Sequence, residues 1–395
     1  MSLKYKLLFP VWLCGTVSLM GQGSWTLKSP YGGGAVSYAA GFSIGTKGYI
    51  GTGAGSNAFW EWDQSTNVWT QKVNFGGGAR AGATGFSIGN KGYFALGYAN
   101  PVYFNDLWEY DPVANNWIQK SNFPGGARAY ASGFSIGTKG YVGLGRDPAN
   151  KSDFWEWDQA TNTWSQKAVF SGGIRSYAAG FSIGAKGYFG TGSDTASSIL
   201  NDFWEWDQLT NSWMQKAFFA GQARISPAAF SIGTKGYLGT GVGSILFADF
   251  WEYNPATNSW IQLTSFPGAA RYNAVGFSIG TKGYVGTGSY LMPYSDFYEL
   301  DPTAIGIDDQ STATTDVTVF PNPVSESATL VVHGLQNNVP VEISFYDISG
   351  KKLSLETNRN SESFTFSRGN LPAGTYLYQV ISDSKMIAEG KLLFD

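Results

Sequence analysis

The tetrapeptide "FSIG" begins at Phe42, Phe86, Phe134, Phe181, Phe230 and Phe277, with spacings of 44, 48, 47, 49 and 47 residues. Self-similarity at such a period means one small unit used repeatedly, because a single unit cannot bury its own apolar face. The third copy reads as four strands, "YASGFSIG", "KGYVGLG", "DFWEWDQ" and "WSQK". Turn signals of the type "GTKG" and "DQATN" mark hairpins within the first and the last pair. Asp63, Asp111, Asp158 and Asp207 stand where a carboxylate can bond turn amides. With 52 Gly, 16% aromatic and only 14% charged residues, the composition is that of an all-β chain rich in turns. Four strands per unit, repeated six times, predict a six-bladed β-propeller.

One strand is out of order. "GSWTLKS" (Gly23 to Ser29) matches the fourth strand of a unit whose first three are missing. Trp25 precedes Phe42 by 17 residues, the distance that also separates Trp69 from Phe86 and Trp260 from Phe277. The sixth unit ends at "FYELDP" (Phe297 to Pro302) without a fourth strand. The N-terminal strand is therefore expected to complete the last blade and leave no open sheet edge, giving a closed propeller over residues 22–302.

Ahead of it, Lys4 and Lys6 precede an apolar run from Leu7 to Met20 and the small Gly21. Residues 1–21 read as a secretory signal peptide, too short for a comfortable membrane span. The one cysteine, Cys14, lies inside it, so no disulfide or thiol chemistry is expected after cleavage. A net charge of −3 without a basic stripe argues against a nucleic-acid or anionic-membrane partner, and no transmembrane segment is expected once the leader is removed.

Strand alternation puts Trp60 and Trp62 on one face and Glu61 on the other. The repeated tryptophans read as filling between neighbouring sheets. Glu61, Glu109, Glu156, Glu205, Glu252 and Glu299 read as links between blades rather than catalytic acids, since a catalytic group rarely occurs six times.

Only one segment of the unit varies in length. Between the end of the second strand and the third-strand aromatic it spans 7 residues (Gly53 to Trp60), 11 (Gly97 to Trp108), 10 (Gly145 to Trp155), 12 (Gly192 to Trp204), 10 (Gly241 to Trp251) and 10 (Gly288 to Tyr298). These loops share a face with the fourth-to-first connections, and uneven loops on a rigid scaffold are where binding resides. They carry Tyr98, Tyr103, Arg146, Asp194, Tyr290 and Tyr294 as candidate ligand contacts, beside Asp147, Lys151 and Phe247. The connections carry Arg80, Arg128, Arg175, Arg224 and Arg271, with Val36 as the sixth equivalent. Five arginines around a channel mouth suit an anionic or hydroxyl-rich ligand. Alternatively, each braces its neighbouring blade.

The pattern "R-x-x-A-x-G-F-S-I-G-x-K-G-Y-x-G-x-G" followed by "WEWDQxTNxW" resembles the kelch repeats of galactose-oxidase-like proteins, from Gln22 to about Pro302. The usual diglycine is here Gly-Thr-Gly or Gly-Leu-Gly. The copper oxidases of that family need a Tyr–Cys cross-link and histidine ligands. Here Cys14 lies in the leader and the one histidine, His333, lies outside the repeats, so copper galactose oxidase activity is not expected. Other members are secreted sugar mutarotases or recognition modules, and neither role implies a cofactor.

After Pro302 the pattern stops. Residues 303–316 read as a polar linker, and residues 317–395 alternate as the strands of a small β-sandwich. "PNP" (Pro321 to Pro323), "YDISGK" (Tyr346 to Lys351), "LPAGTY" (Leu371 to Tyr376) and "KLLF" resemble the type A sorting domain of the Bacteroidetes type IX secretion system. That implies the secretion machinery as a partner and a secreted or outer-cell-surface location. His333 reads as a strand histidine without a chemical role. The expected function is recognition of an extracellular glycan or protein through the variable loop face. The alternative is a carbohydrate-active enzyme (mutarotase, lyase or hydrolase) using Asp147 or Asp194, which would need a unique acid and base.

Overall fold

A computed structural model describes residues 23–194, 198–303, 317–332, 341–347 and 351–395, the last with short breaks. The expected signal peptide (1–21), residues 304–316 of the expected linker and His333 lie outside the described residues. The described residues contain strands and no helix, so no helix is long and apolar enough to cross a membrane. Two compact units divide the chain, one running Gly21–Gly306 and the other containing Ile307–Asp395.

In the first unit each repeat forms one four-stranded antiparallel sheet. In the third these strands are Ser132–Ile136, Lys139–Gly143, Phe154–Asp158 and Thr163–Gln166. The hairpin aspartates bond turn amides as expected, Asp111 accepting from Val113 N at 2.9 Å and Asp158 from Ala160 N at 2.8 Å. The sixth repeat supplies Val275–Ile279, Lys282–Gly286 and Phe297–Asp301, and the fourth strand of that sheet is Ser24–Lys28. Trp25 pairs opposite Leu300, and its Nε1 donates to Thr264 O of the fifth sheet at 3.0 Å. Its ring meets Phe250 and Phe266 edge-on.

Neighbouring sheets stack through one repeated contact. The "FSIG" phenylalanine of each sheet lies over the glycine of "KGY" in the next, Phe42 on Gly92 and Phe86 on Gly140. The series returns to its start with Phe277 on Gly48. A Cβ on Gly92 would come 2.0 Å from the Phe42 ring, which is why that position in every copy is glycine. The second tryptophan of "WEW" fills the space beside it. Trp62, Trp157 and Trp206 are fully buried, and Trp62 meets Tyr284 and Phe297 of the preceding sheet. The arrangement is propeller-like.

The repeated glutamates correct an expectation. Glu61 accepts from Tyr49 Oη at 2.7 Å and pairs with Lys72, both in its own sheet. Glu156 does the same with Tyr141 and Lys167. Links between sheets come instead from the glutamine after the hairpin aspartate. Gln64 donates to Tyr284 Oη, Gln159 to Tyr93 Oη and Gln208 to Tyr141 Oη.

The second unit holds two four-stranded sheets. One is ordered Val317–Phe320, Ser327–Val332, Ser363–Ser367, Thr357–Asn360, and the other Lys352–Leu353, Val341–Asp347, Gly374–Ser382, Lys385–Phe394. Leu330, Val332, Phe345, Phe364, Phe366, Val380 and Leu392 form its core.

Replacing Trp25 with alanine should cost about 3 kcal/mol and lower the melting temperature by several degrees. Leu27→Ala, on the same strand but 64% exposed, should change it little. Equal melting of both variants would show that the strand contributes nothing through its partly buried ring.

Candidate ligand site at the channel mouth

The five arginines do not face a ligand. Arg80, Arg128, Arg175, Arg224 and Arg271 are each at most 1% exposed. Each guanidinium forks onto the aspartate that opens its sheet's third strand: Asp106, Asp153, Asp202, Asp249 and Asp296. Arg175 reaches Asp202 at 2.7 and 2.8 Å and also donates to Thr191 O at 3.0 Å. A phenylalanine covers each guanidinium, Phe170 in the case of Arg175. A charge buried this deeply needs a matched partner and full hydrogen bonding. The arginines are therefore braces, which corrects the expectation of a ligand-binding ring.

The exception confirms the physics. In the first sheet the arginine position is Val36 and the aspartate position is Ala58, so the pair is absent as a pair. The aspartates also accept from the adjacent indole, as Asp153 does from Trp155 Nε1 at 2.8 Å. With Ala58 opposite, Trp60 Nε1 is buried without a partner.

Each brace fixes the backbone two residues further on. Tyr38, Gly82, Tyr130, Tyr177, Ser226 and Asn273 occupy equivalent positions and all adopt left-handed backbone, with φ between 53° and 64°. Their amides are chained. Gly82 N donates to Tyr38 O, Tyr130 N to Gly82 O, Tyr177 N to Tyr130 O, Ser226 N to Tyr177 O and Asn273 N to Ser226 O, all between 2.9 and 3.1 Å. This ring frames a cavity of about 160 Å³. Below it, a second cavity of about 180 Å³ is lined by small residues of all six innermost strands, among them Ala40, Thr84, Ser132, Ala179, Ala228 and Val275.

Left-handed backbone costs a residue with a Cβ about 1 kcal/mol or more. Strain that could be relieved by glycine, but is kept in tyrosine, points to a use for the side chain. Tyr130 and Tyr177 stack at 4.2 Å with an interplanar angle of 26°. Tyr38 meets Tyr130 at 5.8 Å and Tyr272 at 6.5 Å. Gly82 leaves the room the Tyr130 ring occupies, since a Cβ there would lie 2.5 Å from it. Burial raises the Tyr38, Tyr130 and Tyr177 hydroxyls above the ordinary tyrosine range. They remain neutral groups that both donate and accept at physiological pH.

Two loop candidates reach this cluster. Tyr103 lies close enough to Tyr130 to act on it electrostatically, and Arg146 comes within bonding reach of the Tyr177 hydroxyl. Tyr98 packs against Tyr103 at 4.6 Å with the rings tilted by 44°, and its hydroxyl donates to Asn100 Oδ1. None of the loop candidates, these three included, lines either cavity. Asp194 caps its own turn by accepting from Ser198 N at 3.0 Å. Tyr294 covers the Arg271 guanidinium at 4.3 Å, and Tyr290 is 51% exposed at a loop tip. Tyr38, Tyr130, Tyr177, Ser226 and Asn273 escaped the sequence reading. The available signal was variation, because the second residue after the arginine is Gly, Tyr, Tyr, Ser or Asn inside near-identical copies. Among the described residues no group of three His, Cys, Asp or Glu is placed to hold a metal ion.

Comparison with known proteins bears on the two units separately. Residues 318–393 match the secretion system C-terminal sorting domain family. The protein is secreted. It is exported by the type IX system to the cell surface or the extracellular space. The first unit's fold has a counterpart in the solved structure of YjhT, similar over 68% of this chain and 95% of that chain, with a TM-score of 0.61 at 17% identity. That likeness is one of fold. No curated protein sequence matches the chain.

Arg175→Val should leave Asp202 partly buried without its cation and cost about 3–5 kcal/mol. Adding Asp202→Ala, which copies the natural Val36–Ala58 pair, should recover most of that loss. A double variant no more stable than the single one, measured by chemical denaturation, would refute the brace.

Proposed function

We propose that this chain is a secreted six-bladed kelch-type propeller, closed by its N-terminal strand, that recognises an extracellular glycan at the mouth of its axial channel. The sorting unit delivers it and the propeller does the binding. Recognition rests on Tyr38, Tyr130 and Tyr177, with Tyr98, Tyr103 and Arg146 on the rim and Ser226 and Asn273 completing the ring. The carrying observation is the stacked Tyr130–Tyr177 pair held in left-handed backbone. Flat aromatic faces with polar edges suit a sugar ring, which presents C–H groups on one face and hydroxyls around its rim. A cavity near 160 Å³ admits a group the size of one six-membered ring. Binding leads over catalysis because no acid–base pair lines the mouth, and Asp194 serves its own turn.

On a glycan array, the mature chain should bind a defined subset of oligosaccharides. Tyr130→Ala and Tyr177→Ala should weaken that binding tenfold or more, with melting temperatures within a few degrees of the parent. Undiminished binding by both variants would remove the site from the channel mouth.

The two units also make separable predictions in the cell. Deleting residues 317–395 should leave a folded protein retained in the periplasm of a host with type IX secretion. Its normal appearance outside the cell would show that export does not depend on this unit.

A further inference from the structure

Within the repeat unit almost every cation is neutralised. Among the described residues, each lysine and arginine between Gly23 and Pro302 is ion-paired except Arg146 and Lys151, which stand in one loop of the third sheet. Arg146 is the more constrained of the two. Its backbone exchanges hydrogen bonds with Ala129 at 2.9 and 3.1 Å, next to Tyr130 in the mouth ring. Its positive charge lies near enough to the Tyr177 hydroxyl to oppose the upward push of burial there, and its Nε is buried without a hydrogen-bond partner, as in the braces Arg80 and Arg175. Asp147 does not neutralise it, because Arg146–Asp147 is a strand and neighbouring residues point to opposite sides. No carboxylate lines the mouth cavity. On the far side of the ring, the Asn273 amide lies beside Tyr38 with its Nδ2 lacking a well-formed bond.

Unlike those braces, Arg146 has no carboxylate partner among the described residues, and a half-buried guanidinium without one is an uncompensated cost unless something supplies an acceptor. We propose that Arg146 selects ligands bearing an oxyanion, a carboxylate or a sulfate, on the sugar ring that stacks against Tyr130 and Tyr177. This rests on the reading of the mouth as a glycan site and names its ligand class. The planar fork of arginine matches an oxyanion geometrically, which a lysine at the same place would not.

The test uses the mature full-length chain and calorimetric titration with three probes: oligogalacturonides, sulfated galactose oligomers and neutral cello-oligosaccharides. One acidic probe should bind, more weakly as ionic strength rises, and the neutral one should bind at least tenfold less tightly. The acidic probe that binds identifies carboxylate or sulfate as the source of the charge. Arg146→Gln should weaken the acidic probe about ten- to a hundredfold without altering the melting temperature, and Arg146→Lys should recover only part of that. Lys151→Gln, which removes equal charge from the same loop, should change affinity less than about threefold. Equal losses for Arg146→Gln and Lys151→Gln would reduce the effect to a general field and overturn the directed contact. Neutral and acidic probes binding alike, with Arg146→Gln silent, would overturn this inference while leaving glycan recognition intact. Binding of none of the three would overturn both.

Discussion

A buried, forked arginine–aspartate pair organises the loop face of the repeat unit. In the fourth sheet it joins three pieces of chain, the connection carrying Arg175, the end of the second strand at Thr191 and the start of the third strand at Asp202. Taking both charges out of water is expensive, and the geometry offsets that because the two terminal nitrogens of Arg175 meet both Asp202 oxygens and the Thr191 carbonyl. The backbone at each arginine is held by the preceding sheet, as when Gly145 N of the third sheet donates to Arg175 O. Two residues later the chain reaches the mouth ring. The mouth is thus positioned by braces that never touch it.

This division of labour explains why one face varies and the rest does not. The Phe-on-Gly contact and the Glu–Tyr–Lys clusters recur because each sheet must meet its neighbour in the same way. The mouth positions carry no such duty. Their main-chain bonds are made whatever the side chain, so tyrosine, glycine, serine and asparagine all serve the fold. The Val36–Ala58 exchange follows the same logic from the opposite direction. A buried charge can be lost only together with its partner, and the unsatisfied Trp60 Nε1 marks where it went.

Placing three tyrosines in left-handed backbone concentrates strain, aromatic surface and hydroxyl groups at one opening. Arg146 adds a positive charge that, like that of Lys151, no carboxylate among the described residues neutralises. The site is asymmetric although its scaffold is repetitive. Aromatic rings crowd the side of Tyr38, Tyr130 and Tyr177, while Ser226 and Asn273 leave the other side small and polar.

The strands, their hairpins, the register of the repeats and the out-of-place first strand were legible in the chain, because period, turn residues and alternation are local properties. The sorting unit was legible for the same reason, through short motifs at fixed places. What the arginines do was not legible. A guanidinium on the loop face looks alike in sequence whether it meets a ligand or an aspartate 25 to 27 residues away. The repeated glutamate was misread on similar grounds, since its cross-strand tyrosine and an adjacent sheet were equally plausible partners. The mouth itself exists only in three dimensions. Tyr38, Tyr130 and Tyr177 come from separate repeats, and only the packing of one sheet beside the next brings their rings together.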